Sequence, residues 1–131
     1  MRFLLDANAI SDIVRRPDGL AARRYEAAAA DCFTSVIVAS ELRFGIAKNP
    51  AAAAAMRAAQ FIEGVTIEPF ETPADELYGR LRATLERSGT PIGANDLFIA
   101  AHALALDCTL ITANEGEFRR VPKLRIENWL V

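Results

Sequence analysis

The sequence predicts an α/β domain of three layers, with helices on both faces of a central parallel sheet of about four to five short strands. Short apolar runs alternate with helical segments along all 131 residues, without an internal repeat or a linker, which is typical of βα units. The first run, Phe3-Leu4-Leu5, is apolar at every position, as in a strand buried on both faces of a parallel sheet. Because 52% of the residues are hydrophobic, we expect residues 1–131 to form one domain with a substantial core.

The first half of the chain contains two predicted strands and four predicted helices. They are the strand at 2–6, the helices at 7–15 and 20–30, the strand at 32–34, and the helices at 36–48 and 51–62. The turn Pro17-Asp18-Gly19 separates the first two helices. Ser35 is a preferred residue for capping the helix after it, Asn49-Pro50 ends that helix, and Gly64 is a typical stop after the next one.

The second half contains three predicted strands and two predicted helices. They are the strand at 65–70, the helices at 72–88 and 94–106, and the strands at 109–112 and 125–127. Thr72 and Pro73 suit the N-cap and first position of their helix, and the acidic Asp75 and Glu76 suit the positive end of its dipole. The helix at 94–106 is almost entirely apolar after Asp96, so we expect it to be central and buried.

Composition excludes several classes of protein. The formal net charge is -2, so any binding of nucleic acid must use local basic patches. The single histidine, His102, and the two separated cysteines, Cys32 and Cys108, form no Cys/His zinc motif. We expect His102 to be a core or rim histidine, because no triad partner is in view. The chain has no apolar run of about 18 residues and its first run is too short for a signal peptide, which predicts a cytoplasmic protein.

Two aspartates each have a structural and a functional interpretation. Asp6 ends the first strand, where the functional groups of parallel sheets gather, although Asp is also a preferred helix cap. Asp96 opens the apolar helix, where the helix dipole alone favours an acid. Its neighbour Asn95 is free to do the capping, which leaves Asp96 available as a ligand.

Glu41 carries a different argument, from its helical neighbours. Ile37, Val38 and Phe44 flank it at helical spacing, which places its carboxylate on or beside an apolar face. A desolvated carboxylate needs a cation or an arginine to compensate its charge. A Glu at the edge of that face would instead be hydrated and would need no such partner. Gly45 is unfavourable within a helix, so it predicts that another group approaches closely there.

Glu117 is the fourth acidic candidate. The stretch Asn114-Glu115-Gly116-Glu117 has the spacing of a capping box, with Asn114 as N-cap and Glu117 at the third helical position. Thr112 and Asn114 follow a strand, and they either orient a ligand or water or simply form a turn.

Four short segments occur in a familiar order and spacing. They are Leu5-Asp6-Ala7-Asn8, Ser40-Glu41-Leu42, Gly93-Ala94-Asn95-Asp96 with Ile99-Ala100-Ala101-His102-Ala103, and Thr112-Ala113-Asn114-Glu115-Gly116-Glu117-Phe118. Together they resemble the PIN-domain family, and specifically the VapC and FitB toxins of type II toxin–antitoxin systems. The end of the chain, 121–129, also resembles that group, so the resemblance covers nearly the whole sequence.

The resemblance implies a PIN-like α/β/α fold and a Mg²⁺-dependent endoribonuclease, with Mn²⁺ as an alternative cofactor. By resemblance, Asp6, Glu41 and Asp96 are the core metal ligands and Glu117 takes a fourth acidic position. Residues that hold these ligands or water are then Asn8, Ser40, Thr112 and Asn114. Water activated by the metal would hydrolyse an RNA phosphodiester and leave 5′-phosphate and 3′-hydroxyl ends.

Two departures from the family pattern concern the metal site. The family usually has Thr after its first Asp, whereas this chain has Ala7, so a hydroxyl contact to the ligand is expected to be missing. The fourth acid is Glu117 where the family often has Asp, and the extra methylene puts a second metal site in question.

The resemblance also predicts partners. RNA, with tRNA as the first expectation, would be held by basic residues, for which Arg43, Arg119 and Arg120 are the candidates. The family forms homodimers and hetero-oligomers with a small VapB-like antitoxin laid over the active site. The helices at 20–30 and 51–62 are the candidate surfaces for such a partner.

Two other functions compete with the ribonuclease. A catalytically silent PIN-like module would keep the fold and act only by binding a protein or RNA, and Ala7 and Glu117 leave room for it. A phosphatase with Asp6 as nucleophile predicts an aspartyl-phosphate and usually a second Asp two residues later, where this chain has Asn8.

Overall fold

Five short parallel strands form the central sheet in the computed structural model, which describes all 131 residues. They are β1 (Phe3–Leu5), β2 (Cys32–Ser35), β3 (Ile67–Glu68), β4 (Thr109–Ile111) and β5 (Ile126–Glu127). The order across the sheet is β3-β2-β1-β4-β5, and every pair of neighbours is parallel. The predicted α/β class and parallel sheet are confirmed.

Seven helices connect and flank these strands. They are α1 (Ala7–Arg15), α2 (Leu20–Ala28), α3 (Val36–Lys48), α4 (Ala53–Gly64), α5 (Ala74–Arg87), α6 (Ala94–Ala105) and the single turn α7 (Glu115–Phe118). A 3₁₀ turn at Ala29–Asp31 ends the segment predicted as one helix from 20 to 30. No helix combines the length and the apolar character needed to cross a bilayer.

The central strand β1 sets where the site lies. It pairs with β2 on one side and β4 on the other, with Leu4 opposite Phe33 and Leu110, and all three side chains are buried. The carboxyl ends of neighbouring parallel strands meet at one edge of the sheet. Asp6 therefore lies beside Thr112, the residue after β4.

Helix α6 is the buried central helix that the sequence predicts. Its residues Ile99, Ala100, Ala101 and Ala103 are fully buried, and small alanines let it pack close to its neighbours. It makes its most extensive helix contact with α5. Because α6 is fixed on both sides, the position of Asp96 in its first turn is set by the core rather than by a loop.

Several predicted element boundaries are wrong. Thr72 does not cap α5: that helix begins at Ala74, with Pro73 at the cap position and no side-chain hydrogen bond. The strand predicted at 65–70 is reduced to Ile67–Glu68, because only the stretch beside β2 finds a hydrogen-bonding neighbour. The predicted cap Ser35 is confirmed, since its Oγ accepts the N–H of Ile37 at 3.0 Å.

No group of the chain itself makes the close approach predicted at Gly45. A Cβ at Gly45 would have nothing within 4 Å, as would one at Gly79 in α5, and neither residue has a positive φ. We expect Gly45→Ala to stabilise the chain by about 0.5–1 kcal/mol, because Ala loses less backbone freedom in a helix. Gly79→Ala is the matched control and should gain as much in urea unfolding. A destabilised Gly45→Ala beside a stabilised Gly79→Ala would show that something does require the open space at Gly45.

Candidate active site

Asp6 is the most deeply buried of the four predicted carboxylates. It follows β1, its exposure is 3%, and its backbone N–H donates to the Ile111 carbonyl at 2.9 Å. Its Oδ1 accepts the Ala7 N–H at 2.8 Å, so Asp6 does cap α1. Its Oδ2 is left to face the other side chains of the site.

Two polar side chains hold the Asp6 Oδ2. The hydroxyl of Thr112, itself fully buried, donates to it at 2.8 Å, and the Asn8 amide donates at 3.3 Å. The Asn8 Oδ1 accepts the Ala113 N–H at 2.9 Å, which ties α1 to the end of β4. Although Ala7 has no hydroxyl, Asp6 therefore receives one from Thr112, directly after β4. Thr112 and Asn8 therefore both contact Asp6.

Asp96 and Glu117 share one amide. The Asn114 Nδ2 donates to the Asp96 Oδ2 and to the Glu117 Oε2, each at 3.0 Å. The backbone N–H of Gly93, the cap residue of α6, donates to the Glu117 Oε1. The predicted capping box is therefore wrong: Asn114 makes no side-chain cap, because its amide bridges the two acids instead.

Glu41 faces this group from α3, and it is half-buried rather than set in an apolar face. Its neighbour Phe44 is 69% exposed, so the argument from apolar neighbours holds only for the Val38 side of the helix. The Asn95 side chain lines the same pocket as Glu41, and it partly offsets the rise in the pKa of Glu41. The proposed capping role of Asn95 is wrong, because Gly93 occupies the cap position of α6.

The pKa shifts show that the four acids act on one another. Burial raises the pKa of Asp6, and burial followed by the charge of Asp6 raises the pKa of Glu41. The pKa of Asp96 rises to about 7, mainly through burial and then through Glu117, Asp6 and Glu41. The Gly93 N–H and the Asn114 amide lower the pKa of Glu117. The cluster therefore carries more negative charge than its surroundings compensate.

The chemistry of the donor set fits a hard divalent cation. All four candidates are carboxylates, the oxygen ligands that Mg²⁺ and Mn²⁺ prefer, and no lysine or arginine forms an ion pair with any of them. As the side chains stand, no three of them meet the geometry of a metal site. Amide and hydroxyl donors contact three of the four acids, Asp6, Asp96 and Glu117.

The other predicted site residues differ in how near they lie to the four acids. Ser40 directs its hydroxyl to the Val36 carbonyl at 2.8 Å, within its own helix. Arg119 pairs with Glu115 at 2.8 Å, and Arg43 is exposed without an ion pair. Arg120 donates to the Pro91 carbonyl at 2.9 Å, and its charge helps to lower the pKa of Glu117. Of the three predicted arginines, Arg120 is thus the one whose charge acts on an acid of the site.

Comparison with known proteins decides the family. The model of the PIN domain matches residues 3–124, which is almost the whole chain and includes all four acids. The chain belongs to the PIN-domain family. The resemblance stated from the sequence is confirmed, and PIN-domain ribonucleases generally use a divalent metal.

The relatives of this PIN domain are toxin ribonucleases. It is 41% identical over 96 residues to the Ribonuclease VapC2 of Rickettsia felis, covering 72% of each chain. It is 33% identical over 131 residues to the tRNA(fMet)-specific endonuclease VapC of Salmonella typhimurium, covering 98% of each. The crystal structure of VapBC2 from Rickettsia felis, bound to a promoter DNA fragment, superposes with a TM-score of 0.89 at 33% identity, covering 98% of this chain and 99% of that one.

Reasoning from the sequence missed two contacts of the PIN site. Asn95 was considered only as a cap, although its place beside Asp96 in the first turn of α6 puts it next to the acids. The backbone N–H of Gly93 carries no side-chain signal at all, and only the fold brings it to Glu117. A donor from the backbone cannot be read from residue types.

The raised pKa of Asp96 predicts how metal-free protein responds to pH. Between its unfolded value of 3.8 and its folded value of about 7, the folded chain binds a proton that the unfolded chain has lost. Stability therefore falls as pH rises through that window. We expect the Tm in EDTA to drop by roughly 3–6 °C between about pH 5.5 and pH 8, and Asp96→Asn to remove most of the drop. A Tm in EDTA that rises over the same range would contradict the assigned shift.

Proposed function

We propose that this chain is the toxin of a toxin–antitoxin pair, a Mg²⁺-dependent endoribonuclease that also accepts Mn²⁺. One observation supports it above the others. Four carboxylates, one directly after β1 and the others on α3, α6 and α7, gather at one edge of the sheet, and burial followed by the neighbouring acids raises the pKa of Asp96 to about 7. A partly buried cluster of acids is unfavourable unless a cation binds to it.

Asp6, Glu41 and Asp96 are the proposed core ligands, with Glu117 as the fourth. A divalent cation bound there would activate water and neutralise charge on the phosphate. The chain itself supplies orientation, because Thr112 and Asn8 fix the Asp6 Oδ2. The Asn114 amide donates to both Asp96 and Glu117 and so holds these two carboxylates beside each other. Ser40 and Arg119 are engaged elsewhere, so we assign them no direct contact with the reacting phosphate.

Transfer RNA is the proposed substrate. The VapC relative from Salmonella typhimurium, which this chain matches over 98% of its length, is named for cleavage of tRNA(fMet). Arg120 lies on the rim, between the Pro91 carbonyl and Glu117, and is placed to meet a phosphate of the backbone. Arg43, which is exposed on the helix that carries Glu41, is the second candidate.

An antitoxin is the proposed inhibitory partner. A groove of about 430 Å³ runs between α1, α3 and α4 and includes Glu41 in its lining. The α4 side of it is lined by small residues, Ala52, Ala54, Ala55 and Ala58, which permit close approach of a helix from a partner. An arginine of that partner would pair with the uncompensated carboxylates. The structural relative was itself solved as a VapBC2 complex on promoter DNA.

We also propose that the chain forms a homodimer. A homodimer needs an apolar surface, and Val36 and Phe44 on one face of α3 are exposed by 38% and 69%. A toxin that cleaves tRNA works in the cytoplasm, and this is the compartment that we propose.

Incubation of the purified chain with total tRNA tests the proposal. We expect cleavage at defined positions with Mg²⁺ or Mn²⁺, no cleavage in EDTA, and products with 5′-phosphate and 3′-hydroxyl ends. Cleavage that persists in EDTA, or ends bearing a 2′,3′-cyclic phosphate, would contradict a metal-dependent hydrolysis. Metal binding without cleavage of any cellular RNA would instead favour the silent module.

A further inference from the structure

A buried hydrogen bond joins the two helices that carry Glu41 and Asp96. The Nδ1 of His102 in α6 lies 2.8 Å from the Oγ of Ser35, and the two residues are 1% and 0% exposed. Ser35 is the N-cap of α3, and its Oγ also accepts the Ile37 N–H at 3.0 Å. The Ser35 hydroxyl therefore caps the N-terminus of α3 and also contacts α6.

The hydrogen-bond inventory fits a neutral imidazole. The Ser35 Oγ already accepts from the Ile37 N–H, so its own proton is free to be donated to the His102 Nδ1. The other nitrogen, Nε2, is buried without a hydrogen-bond partner of good geometry, while the ring of Phe70 meets the imidazole edge-on at 5.3 Å. Burial lowers the pKa of His102, which keeps the ring uncharged and its Nδ1 available as an acceptor.

We propose that His102 is a positioning residue for the metal site, because it fixes α3 and α6 relative to each other through the Ser35 cap. The proposal rests on the metal-binding role proposed above. Glu41 comes six residues after Ser35, and Asp96 comes six residues before His102. Along each helix axis, the ligand residue therefore lies about 9 Å from the residue that forms the bond. Sites of this kind require ligands held within about 0.5 Å, so a small shift between the helices alters the site.

Calorimetry of Mn²⁺ binding to the metal-free protein tests this positioning role without any RNA. His102→Leu removes the acceptor, and we expect it to weaken Mn²⁺ binding by about tenfold. Ser35→Ala removes the other partner and should weaken binding as much, and the double variant no further. His102→Asn places an oxygen where Nδ1 stands, so its Mn²⁺ affinity should lie within about twofold of wild type. His102→Gln carries its polar atoms one bond farther, so its Mn²⁺ affinity should fall as in His102→Leu.

A matched control separates positioning from loss of stability. Ile99→Val removes one methylene from a fully buried residue of the same helix and costs about 0.5–1.5 kcal/mol, yet it touches no part of the bond. It should leave Mn²⁺ affinity unchanged.

The outcomes are distinct. If wild type binds Mn²⁺ and His102→Leu and His102→Gln bind as tightly as Ile99→Val, the inference about His102 is overturned while the proposed function stands. If His102→Leu does not fold, the comparison of the Asn and Gln variants decides in the same way. If wild type binds no Mn²⁺ at millimolar concentration, both the inference and the proposed metal site fail.

Discussion

Asp96→Asn should reduce metal-dependent cleavage of RNA by about 10²–10³-fold, because it removes one full negative charge from the groups that hold the cation. The substitution keeps the size of the side chain and relieves repulsion from Glu117, Asp6 and Glu41. The folded chain should therefore remain as stable as wild type in EDTA at pH 8, or become more so. Loss of activity without loss of stability is the result expected of a ligand.

The control for Asp96→Asn is a second aspartate in the same local position. Asp75 lies in the first turn of α5, as Asp96 lies in the first turn of α6, and it is exposed. Asp75→Asn should cost about 0.3–1 kcal/mol through the helix dipole and leave cleavage unchanged. If Asp96→Asn behaves like Asp75→Asn in both assays, Asp96 serves its helix and not a metal.

Thr112→Val should destabilise the metal-free chain by about 2–3 kcal/mol, because it removes a donor to a buried carboxylate and an acceptor for a backbone N–H. The Thr112 hydroxyl donates to the Asp6 Oδ2 at 2.8 Å and accepts the Asn114 N–H at 3.0 Å. Its loss should raise the pKa of Asp6 further, since that hydrogen bond is the largest effect that opposes burial. We expect RNA cleavage to fall by about 10–100-fold at fixed Mg²⁺.

A threonine in the strand just before Thr112, β4, provides the comparison for Thr112→Val. Thr109 is also buried, but its hydroxyl meets only the weak sulfur acceptor of Met1, at 3.3 Å. Thr109→Val should therefore change the free energy of unfolding by less than about 1 kcal/mol. Equal losses for the two variants, measured by urea unfolding, would refute a special role for the Thr112 hydroxyl.

The sheet and its site-bearing edge were predictable because their signals are local. A wholly apolar run that ends in Asp6 indicates a buried parallel strand with a functional group at its carboxyl end. The apolar stretch after Asp96 likewise identifies a central helix, and the structure places it there. In both cases burial alone determines the pattern, so a single sequence is sufficient.

The contacts between the site residues were not predictable in the same way. The Asn114 segment has the spacing of a capping box, yet its amide bridges Asp96 and Glu117 because the fold brings α6 beside α7. The hydroxyl that serves Asp6 comes from Thr112, 106 residues away, rather than from the neighbouring position 7. Such pairings depend on the packing of distant elements and leave no periodic signal in the sequence.

The structure weakens the case for a silent module. That alternative depended on Ala7 and Glu117, but Thr112 supplies a hydroxyl to Asp6, and Glu117 is tied to the cluster by Gly93 and Asn114. Asp6 therefore has a hydroxyl donor despite Ala7, and Glu117 lies beside Asp96 through the shared Asn114 amide.

Titration of metal-free protein with Mn²⁺ at pH 7 tests the central claim most directly, because it asks whether the clustered carboxylates bind a divalent cation at all. We expect saturable binding with release of protons, since the pKa of Asp96 is about 7 and its ligand form is deprotonated. Asp96→Asn should lose this binding, and Asp75→Asn should keep it. Absence of binding by wild type, or binding by Asp96→Asn at the affinity of wild type, would contradict the account.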